Sequence, residues 1–68
     1  MYDYNKLKGR IQEVCITRAE FAKAIGISEA SLSLRLNNRR EWTQDEMLKA
    51  AEVLRFDMSE LKEYFFVH

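Results

Sequence analysis

Apolar residues recur at helical spacing in five stretches of this 68-residue chain. Tyr4, Leu7, Ile11 and Val14 step by three and four, which predicts an amphipathic first helix capped by Asp3 or Asn5. Cys15 and Ile16 fill a short connection. Thr17 caps a second helix, and Glu20, three residues on, completes a capping box. Phe21, Ala22 and Ile25 form its inner stripe. Gly26 ends it, where a residue able to take positive φ is needed. Ile27 plugs the turn and Ser28 restarts a third helix, with Leu32 and Leu36 on its inner face. Asn38 can take the left-handed conformation that closes this helix. Thr43-Gln44-Asp45-Glu46 is another capping box, followed by Met47, Ala50, Ala51 and Leu54, with Leu48 and Val53 widening the stripe. Asp57-Met58-Ser59-Glu60 opens a fifth, short helix that turns Leu61, Tyr64 and Phe65 inward.

The expectation is an all-α, compact five-helix domain spanning residues 1–68, its second and third helices forming a helix-turn-helix at about 17–38. Leu7, Ile11, Phe21, Ala22, Ile25, Leu32, Leu36, Met47, Ala51, Leu54, Leu61 and Phe65 are expected to share one core. Ala22 is small enough for two crossing helices to approach closely. Trp42 reads as a lid on the core and Cys15 as a small buried hydrophobe. Gly9 falls on the polar side of the first helix, at a cost of roughly 1 kcal/mol relative to alanine. Either a close neighbour needs the space or the glycine is simply tolerated. Phe66 and Val67 exceed what one helix face can bury, so they either close the core or form a self-association surface.

Composition narrows the functional classes. The chain has no proline and one cysteine, which rules out an intramolecular disulfide and fits a reducing compartment. It has no membrane-length apolar run and no secretory signal, so a cytoplasmic location is expected. Met1 and the lack of a terminal linker point to a complete gene product. The only histidine is His68, and neither a ligand-spaced cluster nor a glycine-rich phosphate loop occurs. No enzyme, metal or cofactor is expected. Eleven basic and eleven acidic residues cancel, but unevenly. Residues 1–40 carry eight Lys or Arg against four Asp or Glu, and residues 41–68 carry three against seven. That asymmetry points to an anionic partner for the first half.

The run Glu20-Phe21-Ala22-Lys23-Ala24-Ile25-Gly26-Ile27-Ser28, with Leu32-Ser33 and Leu36-Asn37-Asn38, resembles the phage repressor and Cro group of helix-turn-helix regulators. More narrowly, nearly the whole chain is similar to small, mostly uncharacterised phage and prophage proteins, from its opening Met1-Tyr2-Asp3-Tyr4 onward. The resemblance implies a lambda-repressor-like fold and a sequence-specific DNA-binding transcriptional regulator. Its recognition helix, about 28–37, would enter the major groove of double-stranded operator DNA. The base-reading residues would be Glu29, Ala30, Ser31, Ser33 and Leu34. Phosphate contacts would come from Thr17, Arg18, Arg35, Asn37, Asn38, Arg39 and Arg40. A homodimer through the C-terminal helix would pair two half-sites. Family relatives commonly carry glutamine, arginine or lysine where this chain has Glu29 and Leu34. Those departures, with zero net charge, leave an alternative from another class: an antirepressor-type protein-interaction module that binds a repressor protein.

Overall fold

A computed structural model describes residues 1–15 and 17–68, and the expected contribution of Ile16 lies outside them. The elements are α1 (Asn5–Cys15), α2 (Arg18–Ile25), α3 (Glu29–Leu36), α4 (Gln44–Leu54) and α5 (Leu61–Phe65), with a 3₁₀ turn at Met58–Glu60 leading into α5. The architecture is all-α, as the apolar spacing predicts. α2 packs against α1, α3 and α4, and α5 closes against α1 and α4.

Helices α1 to α4 each start where a side chain satisfies an orphan N–H. Asp3 Oδ1 accepts from the Asn5 N–H at 2.9 Å. Thr17 Oγ1 accepts from the Glu20 N–H at 3.2 Å, and Ser28 Oγ accepts from the Ser31 N–H at 3.1 Å. At α4 the box is reciprocal: Thr43 Oγ1 accepts from the Glu46 N–H, and the Glu46 carboxylate accepts from the Thr43 N–H. Glu60 likewise accepts from the Asp57 N–H at 3.3 Å. The helix ends are equally specific. Gly26 sits at φ 81°, and Asn38 and Arg55 also take the left-handed conformation. Arg10 crosses to the end of α4 and donates through Nε to the Leu54 carbonyl at 2.9 Å. A cation at a helix C-terminus also opposes the negative end of its dipole.

Ten of the twelve expected core residues are buried, while Met47 and Leu61 are partly buried against them. The α1 stripe is shorter than its sequence suggests: Val14 is exposed, and so is Leu48 on α4. Cys15 belongs to the last turn of α1 and is half-buried against the core. Burial first, then the charge of Glu20, pushes its thiol pKa up, so the unreactive protonated form prevails. Phe56, which no stripe marked, stacks on Tyr64 at 4.1 Å between ring centroids and completes an aromatic wall with Phe65 and Trp42.

A Cβ built at Gly9 meets nothing within 4 Å, so no close approach requires the glycine. Gly9→Ala is therefore expected to stabilise the domain by about 0.5–1 kcal/mol, through helix propensity and a less flexible unfolded chain. Thermal or urea denaturation measures this directly.

Candidate interaction surface

The outward side of α3 and the loop after it hold most of the residues singled out in the sequence. Glu29 and Ala30 are exposed on the first turn. Ser31 is half-buried and its hydroxyl is engaged by Ser28, 3.0 Å away. Ser33 accepts from Asn37 Nδ2 at 3.3 Å. Leu34 is half-buried, yet it is not among the described side chains that pack on the core. That leaves an apolar side chain on α3, with an exposed carboxylate on the first turn of the same helix. Thr17 and Arg18 are exposed at the start of α2.

Arg35 points the other way. It is only 7% exposed, and its guanidinium forms a two-pronged pair with Glu46, Nε to Oε1 at 2.8 Å and Nη2 to Oε2 at 2.9 Å. Its Nη1 donates to the Ser31 carbonyl at 2.9 Å. The expected phosphate role of Arg35 is thus corrected: this buried side chain fastens α3 to α4. Asn38 is also committed internally. Its Oδ1 accepts from the Tyr2 N–H at 2.9 Å and its Nδ2 donates to the Tyr2 carbonyl at 2.8 Å, which straps the N-terminal arm to the end of α3. Asn37, Arg39 and Arg40 are exposed, and neither arginine has an ion-pair partner among the described residues.

Glu46 carries the electrostatic consequence. Burial raises its pKa, but the Arg35 and Thr43 hydrogen bonds and the Arg35 charge outweigh that and hold it below the ordinary 4.5. A carboxyl depressed by folding stabilises the native state above its unfolded pKa. That stability is lost as pH falls through the folded value. The melting temperature should accordingly drop as pH is taken below about 4.5, and Glu46→Gln should flatten that part of the profile.

Beyond α3 the arm, the α3–α4 loop and the end of α5 enclose a cleft of about 460 Å³. Tyr2, Tyr4, Trp42, Phe65 and Phe66 contribute aromatic surface to it, and Arg39 and Arg40 stand among its lining residues. Trp42 is 7% exposed, and its indole Nε1 is buried with no hydrogen-bond partner. Leaving such a donor unmet costs about 1–3 kcal/mol. Burial chiefly, then the charges of Tyr2 and Glu41, raises the Tyr4 pKa. The nearby indole N–H opposes that rise without reaching hydrogen-bond geometry.

The terminal apolar surplus is partly spent within the molecule. Tyr2 meets the edge of Phe66 at 5.9 Å and lies 4.6 Å from the His68 ring, and the Asp3 N–H donates to the Val67 carbonyl. Phe66 remains 46% exposed. These contacts close the N-terminal arm on the chain end, so the surplus is not left wholly for a homodimer. Among the described residues no group of three or more His, Cys, Asp or Glu could hold a metal ion. No helix described here is long and apolar enough to cross a membrane.

Residues 1–68 match the family described as "Protein of unknown function (DUF739)". The chain belongs to the DUF739 family. It is also similar to a solved structure, that of the modulator of repression (MOR) of the temperate bacteriophage TP901-1 from Lactococcus lactis. The two are 46% identical, with a TM-score of 0.82 over 98% of this chain and 95% of that one. No curated protein matches the chain.

Membership of DUF739 and similarity to a modulator of repression correct the DNA-binding reading. The broader resemblance, to the repressor and Cro group, does not carry over to family. The narrower likeness, to small phage proteins, does. Consequently this DUF739 chain is not assigned as a Cro-type transcriptional regulator, and double-stranded operator DNA is not its assigned partner. The physical reason lies on α3 and across the fold. Arg35 is turned inward, the exposed first turn carries Glu29, and two basic residues of the first half, Lys6 and Arg35, pair with Glu63 and Glu46 of the second. A basic surface is the electrostatic footprint of DNA binding, and these pairs reduce it.

Proposed function

We propose that the protein is an antirepressor-type interaction module that binds a repressor protein through the outer face of α3. The observation that carries this reading is the 46% identity, over 98% of the chain, to a phage modulator of repression. The exposed Glu29 and the half-buried Leu34 support it, since an apolar anchor and a carboxylate on one helix suit the basic surface with which a repressor meets DNA. Arg18, Arg39 and Arg40 then take the role of rim charges around that contact.

The test is to mix the protein with the helix-turn-helix repressor encoded in the same genome and measure the mass of the species formed by light scattering after size exclusion. A stoichiometric complex is expected, together with no specific gel shift of operator DNA by the protein alone at moderate salt. A tight, salt-dependent complex with one DNA site, indifferent to the repressor, would overturn the proposal.

A further inference from the structure

We infer that the aromatic cleft beside α3 is a pocket for an acidic, apolar segment of the partner: a bulky side chain flanked by a carboxylate. The identity of the partner rests on the antirepressor reading above, whereas the chemistry of the occupant follows from the cleft itself. Three independent features define it. Its walls are aromatic, and Tyr2 and Phe66 leave apolar surface open to an incoming side chain. Arg39 and Arg40 among its lining residues have no carboxylate partner among the described residues, and Glu41 offsets only one of their charges. The lining residue Trp42 is more than nine-tenths buried, and its N–H lacks an acceptor.

Each feature asks for a different part of the same ligand. An apolar side chain removes aromatic surface from water. A carboxylate finds unpaired guanidinium groups in the lining, each able to grip it in a two-pronged contact. A carbonyl or carboxylate oxygen completes the indole N–H, which otherwise stays unpaired. A cationic segment would set like charges beside Arg39 and Arg40. The position is also continuous with the α3 surface, because the Arg39 N–H donates to the Leu34 carbonyl at 2.8 Å.

Trp42 is the only tryptophan, so its indole N–H gives a single signal in a ¹⁵N-correlated NMR spectrum. The probe is acetyl-Glu-Phe-Asp-amide, titrated to millimolar concentration, with acetyl-Lys-Phe-Lys-amide as the charge-reversed control. The acidic peptide should move the indole proton downfield, as a new hydrogen bond requires, and bind at least tenfold more tightly than the control. The double variant Arg39→Glu, Arg40→Glu changes two exposed side chains and should reverse that preference while the fold stays intact. An unmoved indole signal, or equal binding of both peptides, would overturn the inference.

With the repressor itself, the indole signal should move in the same sense, and the double variant should weaken the complex tenfold or more. A complex that forms unweakened with the indole unmoved would also overturn it, leaving the antirepressor reading in place. Absence of any complex with the unmodified protein would sink that reading instead, and the peptide titration would then decide the pocket alone.

Discussion

Leu34→Ser is expected to abolish the stoichiometric complex with a repressor protein while the domain stays folded. Leu34 is half-buried on α3 but is not one of the described side chains packed on the core, so little native packing depends on it. Apolar anchors at the centre of an interface contribute about 2 kcal/mol or more each, on the order of a 30-fold loss of affinity when removed. Titration calorimetry with the repressor measures that loss, and a thermal melt on the same sample shows whether the fold survives. Glu29→Gln is the companion measurement. It should weaken the complex more at low salt than at high salt, since a rim charge acts mainly through long-range attraction. An unchanged affinity for Leu34→Ser would place the contact elsewhere on the molecule.

Arg35→Ala should be among the most destabilising single changes in the chain, at about 3–5 kcal/mol. It would leave the Glu46 carboxylate, whose side chain is 12% exposed, without the guanidinium that holds it at 2.8 Å. The capping hydrogen bond from the Thr43 N–H would remain, but it satisfies only part of a buried charge. A domain of this size commands roughly 0.05–0.15 kcal/mol per residue, so a loss of that order removes much of its stability. The double variant Arg35→Met, Glu46→Leu should recover most of the loss, because a buried ion pair replaced by well-packed apolar groups is often neutral or better. Urea denaturation of the two variants side by side checks both statements. A mild effect of Arg35→Ala would mean that water reaches Glu46 in the folded protein.

Much of the fold was legible along the chain, because local chemistry dictates it. Thr17, Ser28 and Thr43 each cap the helix they precede, and Gly26 and Asn38 take the positive φ expected of them. The inner faces of the helices follow directly from the three-and-four spacing, so most of the core could be named residue by residue. These signals lie within a few residues of one another, where the geometry of a helix leaves few alternatives.

Function was harder to read, because the residues that build a helix-turn-helix are those that pack its two helices together. Ala22, Gly26, Leu32 and Leu36 serve that packing whether the outer face meets a base pair or a protein. Only the tertiary structure decided which charges remain available to a partner. The family resemblance implied a phosphate role for Arg35, yet Glu46, eleven residues away, draws it inside. Lys6 pairs with Glu63 across 57 positions. The positive half and the negative half of the chain are thus distinct in sequence but interlocked in space. Charge summed along a chain ignores the pairings that folding makes. Phe56 and the unpaired Trp42 indole were hidden for the same reason: their surroundings come from the N-terminal arm, the α3–α4 loop and α5, which meet only in the folded molecule.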